Sequence, residues 1–373
     1  MFQGVYTKGI SKSNLTAILA DWKTLAPQAA ILALVPEAEK ATIQSLQAQA
    51  RRFDLPLMGA VFPALLTEQG FQISGMILFR IDSPHPWRLV DQLADDAPGL
   101  VHVTDFIDQH LNDAPACVEP PTLFLIFDGL LPNISTLLHR LYLRLGQRVQ
   151  YAGVNAGSET FQPMPCLFDQ DRIVQAGCIA LLIPAAKQFV IEHGYPVTDA
   201  LFRATSTTGN RIEKIDGKPA LAVYQALLKS EFGIDITPDN FYQYAVHYPF
   251  GLVTLLEVLV RIPVGLTTAG EIYCVGEVPA NSILKLLHAP QLADSRCVED
   301  IAKKLQNQEA PLVAFYCAGR RMHFGGEAET ELRELLTLSH ASALLGALSL
   351  GEISTDTDLK LPTFHNAALV CVR

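Results

Sequence analysis

The chain has 373 residues, of which 49% are hydrophobic and 18% charged. That is apolar material for a large core, and it excludes a globally disordered chain. Lys and Arg number 28 against 38 Asp and Glu, a formal net charge of −10, so composition offers no basic face for nucleic acid or for an anionic membrane surface.

From the N-terminus, residues 1–14 lack the charged-then-apolar layout of a secretion signal. Strand-like residues 31–35 lead into a predicted helix over 37–52, an apolar run 56–61 containing Gly59, and an outgoing strand 77–81. The same order recurs: strand 123–127, helix 134–145, run 150–155 with Gly153, outgoing strand 179–183. It recurs again: strand 312–316, helix 327–338, run 344–348 with Gly346, outgoing strand 367–371. Gly153 lies 94 positions after Gly59, and Gly346 lies 193 after Gly153, which leaves room for a divergent fourth unit around 250–278. Each unit reads as βαβ, a parallel strand pair, closed by a hairpin such as residues 70–75 that adds antiparallel strands. The fold class is therefore α/β, with repeated βαβ-plus-hairpin units forming mixed sheets.

Between the units, 84–121 is a polar, proline-punctuated connection carrying one helix near 101–111. After a break at 193–196, residues 210–217 alternate like a strand and end in Asp216-Gly217, a hairpin turn pair. A helix follows over 218–229, with Pro219 in its first turn. The chain thus divides near residue 190. Residues 1–190 form an N-terminal half with two units, and residues 191–373 a C-terminal half with a divergent middle and the third unit. The longest apolar run, 176–186, is half of the ~20 residues a membrane span needs. Seven cysteines, an odd number without a CxxC, read as buried free thiols in a reducing, cytoplasmic setting.

No P-loop, GxGxxG, GxSxG or HExxH is present. Ser158 follows a strand and a glycine, but residues 160–165 (TFQPMP) do not start a helix, so it reads as a turn or ligand-contact residue and not a nucleophile. The turn after the marker glycine is polar in two units, with Asn155, Ser158 and Glu159 in the second and Ser349 and Glu352 in the third; in the first, residues 62–66 are apolar. Ligands of α/β units collect at the carboxyl ends of the strands, where these turns lie. Arg320 and Arg321 stand at the carboxyl end of strand 312–317, where a guanidinium can clamp a carboxylate. His365 and Asn366 open the last strand, and His193 sits in the loop at the break. The expected ligand-binding set is Asn155, Ser158, Glu159, Arg320, Glu352, His365 and Asn366, with no catalytic pair and no metal cluster.

These same segments resemble the FIST family. The turn 153–159 (GVNAGSE) and the hairpin 172–183 are similar to its N-terminal part, and HGYP at 193–196 and residues 205–210 and 215–221 to its middle stretch. VRIPVG at 260–265, FYCAGR at 315–320, GALSLGEI at 346–353 and His365-Asn366 are similar to its C-terminal domain. Phe62-Pro-Ala, Leu348 and Leu350 depart from the pattern. The resemblance implies a stand-alone, non-catalytic sensory protein for a small, amino-acid-like ligand. Its output would pass through a separate partner, a histidine kinase or a cyclic-di-nucleotide signalling protein. A subgroup binds haem and senses nitric oxide; in that alternative His193 is the expected axial ligand. A small-metabolite enzyme is the other open alternative, and otherwise no cofactor is implied.

Overall fold

The computed structural model describes residues 2–8, 12–82, 85–93, 98–113, 119–183, 189–255, 257–305, 310–355 and 360–372. Cys117 and the end of the apolar run 176–186 lie outside them. The first unit runs β1 (Phe2–Thr7), α1 (Lys12–Leu25), β2 (Ala30–Pro36), α2 (Ile43–Arg52), β3 (Leu57–Phe62), β4 (Leu65–Thr67), β5 (Gly70–Gln72) and β6 (Met76–Ile81). The second repeats it as β7 (Trp87–Val90), α3 (Pro98–Asp113), β8 (Thr122–Asp128), α4 (Ile134–Leu145), β9 (Gln150–Ala156), β10 (Leu167–Asp169), β11 (Ile173–Val174) and β12 (Cys178–Ile183). The third begins with β13 (Phe189–Glu192) and is interrupted by an inserted block. That block holds β14 (Phe202–Thr208), β15 (Arg211–Ile215), β16 (Lys218–Pro219), α5 (Ala220–Phe232), α6 (Phe241–Ala245), β17 (Phe250–Val253), β18 (Val258–Arg261), β19 (Pro263–Leu266), β20 (Ile272–Cys274) and β21 (Ile283–Leu286). The unit then resumes with α7 (Cys297–Lys304), β22 (Leu312–Cys317), α8 (Ala318–Phe324), α9 (Ala328–Leu338), β23 (Leu344–Ser349), β24 (Glu352–Thr355), β25 (Pro362–His365) and β26 (Leu369–Val372).

Each unit forms one six-stranded sheet, and the three strand orders are equivalent: β1-β6-β2-β3-β10-β11, β7-β12-β8-β9-β24-β25 and β13-β26-β22-β23-β4-β5. The central pairs β2–β3, β8–β9 and β22–β23 are parallel, as the βαβ pattern predicts. The hairpins do not close their own sheets. Each crosses to a neighbour: the first unit's to the third sheet, the second's to the first, the third's to the second. The exchange is cyclic, so the units share one core. Leu34 of the first unit, Ile126 of the second, and Phe315 and Ala347 of the third pack in it together. The outer faces carry helices. In α4, Ile134, Leu137, Leu138, Leu141 and Leu145 are buried at helical spacing, each such side chain contributing about 1.5–3 kcal/mol.

The marker glycines occupy one position in this plan. Gly59 lies opposite Ala33 and the guest residue Phe168, Gly153 opposite Leu125 and Ile353, and Gly346 opposite Ala314 and Leu66. A Cβ would meet the Ala33 carbonyl oxygen at 2.7 Å, that of Leu125 at 2.1 Å and that of Ala314 at 1.7 Å. The close backbone approach therefore demands glycine.

The inserted sheet is antiparallel throughout the described residues, in the order β18-β17-β21-β14-β15-β20-β19 with β16 beside β15. It is not a fourth βαβ unit. Asp216 and Gly217 both have positive φ, 49° and 77°, the hairpin turn their pairing predicts. The helix after them starts at Ala220; Lys218 and Pro219 pair as a short strand instead. Glu277 joins the insert to the second unit by accepting the Thr136 backbone N–H at 2.9 Å and its hydroxyl at 2.5 Å, in the first turn of α4. No described helix is long and apolar enough to cross a membrane. The six described cysteines are free and buried.

Candidate functional site

A cleft opens where the inserted block meets the carboxyl ends of the third unit's strands. The insert supplies Tyr242 and Val246 from α6 and its neighbour, with Ile262, Val264 and Val275. The facing wall is Cys317, Gly319, Met322, Leu350 and Asn366, and the rim carries Glu159 and Phe161. Glu159 reaches it because ten residues separate Asn155 from Cys166, whereas two separate Val61 from Ala64 and Leu348 from Gly351. The second unit's turn is thus long enough to lean over the third unit. Glu159 and Phe161 of the turn after Gly153 and Leu350 of the turn after Gly346 line this cleft, whereas Asn155, Ser158, Ser349 and Glu352 do not.

The polar groups around the cleft differ in what they have free. Asn366 is 1% exposed; its Nδ2 donates to the His365 carbonyl at 2.9 Å, and its Oδ1 has no protein partner. An unpaired buried acceptor costs ~1–3 kcal/mol, which a donor from a ligand or water recovers. Asn155 is fully buried, with neither side-chain atom partnered. It lies beside the Gly351 notch and outside the cleft lining. Both oxygens of Glu159 accept from Nη2 of Arg321, at 2.7 and 2.6 Å. Ser158 caps its own turn, accepting the Thr160 N–H at 3.2 Å.

Arg320 is not available to an anion. Its five N–H donors go to Glu331 Oε2 (2.8 Å) and Oε1 (2.5 Å), the carbonyls of His193 (2.6 Å) and Ala367 (3.3 Å), and Ser295 Oγ (3.2 Å). It is fully buried and acts as a structural tie, which corrects the carboxylate-clamp expectation. Arg321 carries the accessible guanidinium.

Glu352 lies behind Cys317. Ser349 Oγ donates to it at 2.6 Å and the Ala368 N–H at 3.4 Å. Burial dominates these bonds and pushes its pKa up to about 8, so it is a neutral acid at pH 7. Burial also raises the Cys317 thiol, and the Glu352 carboxyl adds to the rise. His365 shares a hydrogen-bonding cluster with Ser354 (3.1 Å) and Thr363 (2.7 Å) at Nε2. Burial, then His193 and Arg261, holds it down at about 3.

His193 does not offer an iron ligand. Its Nδ1 accepts the Tyr195 N–H at 2.9 Å, and its ring also bonds the Val258 backbone. Burial, then Arg320, lowers it to about 4. With Nδ1 engaged by the Tyr195 N–H, the ring buried, and His193 outside the cleft lining, the residues present do not fit haem with His193 as axial ligand.

The repeat provides an internal comparison. By register, Glu352 corresponds to Leu167 and Leu65, and its cross-strand partner His365 to Val174 and Gln72. Asn155 corresponds to Val61 and Leu348, each of which bonds the guest strand through its N–H. Polar residues have entered positions that a sister unit fills with apolar ones, at the strand ends beside the cleft. The insert's contribution escapes sequence reasoning: Tyr242, Val246, Ile262 and Val264 bear no chemical signature.

The fold and this site together define a two-part α/β module with an inserted antiparallel sheet and a cleft at their junction. The chain belongs to the FIST family: the FIST N domain matches residues 4–218 and the FIST C domain residues 220–355. FIST domains are sensory domains of signal transduction. No curated protein matches the chain significantly.

Proposed function

We propose that the protein is a non-catalytic receptor for a small molecule, bound in the junction cleft and read out through a separate signalling partner. The observation that carries this reading is Asn366, a buried amide on the cleft wall whose carbonyl oxygen lacks a donor. The ligand class follows from the lining. Apolar side chains dominate, Glu352 is neutral at pH 7, and Glu159 is already paired with Arg321. A compact molecule with an N–H or O–H donor and an apolar body fits, and a zwitterion can exchange partners with the rim pair. Among the described lining residues the thiol is Cys317, held in its neutral form by burial, and the carboxyl behind it, Glu352, is protonated at pH 7, which favours binding over catalysis. The test is a thermal-shift screen of a metabolite panel on wild type and Asn366→Ala. A ligand that stabilises wild type and loses ten- to a hundredfold in affinity on the variant supports the site. A ligand that binds both equally places the receptor site elsewhere.

A further inference from the structure

The two walls of the cleft are tied by a pair of histidines. His247 follows α6 on the insert, and His323 lies on α8 of the third unit. Their Nδ1 atoms are 2.7 Å apart, with ring planes at 66°. His323 Nε2 is 2.7 Å from the Pro290 carbonyl oxygen. A carbonyl only accepts, so His323 carries its hydrogen on Nε2 and, when neutral, presents Nδ1 as an acceptor. His247 must then carry its hydrogen on Nδ1 and donate it. One carbonyl thus fixes both tautomers. Alongside, the Tyr242 hydroxyl donates to Met322 Sδ at 3.4 Å, again joining α6 to α8.

We propose that the His247–His323 bond is a proton-sensitive latch that holds the two cleft walls together and releases when both rings are protonated. A first proton on His247 Nε2 leaves the bond intact and makes it charge-assisted. The second has only His323 Nδ1 to occupy. That sets N–H against N–H across the same gap, and the bond is lost. The surroundings set the sense. His288 lowers both rings electrostatically, with Tyr248 stacked on it, and Arg320 and Glu331 act on His323 with opposite signs. Burial, the largest influence on each ring, holds both below the ordinary 6.5. Above pH 6.5 both rings are therefore neutral and latched; as pH falls through the folded-state values the first protonation keeps the latch, and the second, lower step releases it. The two steps belong to the pair, not to either ring. Regulation of a ligand rests on the receptor reading above; the latch itself does not.

The test needs no ligand, so its failure is distinct from failure of that reading. Imidazole nitrogen NMR and methyl NMR are recorded on the full chain from about pH 8 to about pH 5. At the upper end His247 should appear as the Nδ1–H tautomer and His323 as Nε2–H. The methyls of Met322, Val246 and Ile262 should then shift with the pair's second protonation step, while those of the exposed Leu255 stay still. His323→Gln should abolish that wall response, and His288→Gln should keep it. If His323→Gln does not fold, His247→Gln serves in its place. Reversed tautomers, wall methyls that stay flat through the second step, or an unchanged response in the latch variant would each overturn the proposal.

Discussion

Glu352→Gln isolates the most perturbed carboxyl beside the site. In the folded protein burial raises Glu352 from 4.5 to about 8, so between those values the folded state holds a proton the unfolded chain releases. Stability contributed by the neutral acid is complete below 4.5 and falls as pH rises through about 8. At 1.36 kcal/mol per pH unit the whole interval corresponds to on the order of 5 kcal/mol. His365 and His193 act in the opposite sense, because their lowered values favour the neutral ring. Their contribution grows as pH rises and is complete above 6.5. From pH 6.5 to 8 Glu352 is thus the buried site group whose share changes. Glutamine keeps the shape of the neutral acid but cannot ionise. Urea unfolding at pH 6.5 and pH 8 should show wild type losing roughly 2 kcal/mol and the variant losing little. A variant curve that falls as steeply as wild type would refute the neutral-acid assignment.

Glu331→Ala strands Arg320 in the core with two donors unpaired, and should cost about 3–5 kcal/mol by urea unfolding; a loss under about 1 kcal/mol would return Arg320 to the list of ligand-binding groups. Gly346→Ala drives a Cβ to 1.7 Å from the Ala314 carbonyl oxygen and should prevent folding or lower Tm steeply, while Gly326→Ala, with open space around its Cβ, should leave Tm within a few degrees as judged by circular dichroism. Acidification below pH 6.5 should destabilise wild type more than a His365→Gln variant, because that variant lacks a ring that must stay neutral when folded; equal acid sensitivity by pH-dependent calorimetry would count against its buried, neutral state.

The repeat was legible because its determinants are local. The helix over 134–145 forms where the leucine spacing puts it, and each marker glycine answers a backbone contact within its own parallel pair. The helix expected over 37–52 opens instead as a 3-10 turn over Glu37–Thr42. The edge strands β7 and β13 escaped because four residues of mixed polarity carry no period. The exchange of hairpins is non-local, and nothing in residues 65–72 marks which sheet receives them. Of the cleft's lining residues, Glu159 stood out in the sequence from its place after a strand and Asn366 from its place at the opening of the last one. Arg320 was misread because its partner Glu331 sits across a helix break at Gly325, whose φ is 55°. The apolar wall from the insert could not be read at all, since burial in a core and burial against a ligand select the same side chains.

Native mass spectrometry of the freshly purified chain, with the bound mass identified after release, tests the receptor claim most directly. A small molecule should be found on wild type and be lost from Asn366→Leu, in which the amide acceptor is replaced by an apolar side chain while circular dichroism is unchanged. A molecule retained at equal occupancy on Asn366→Leu would contradict that claim.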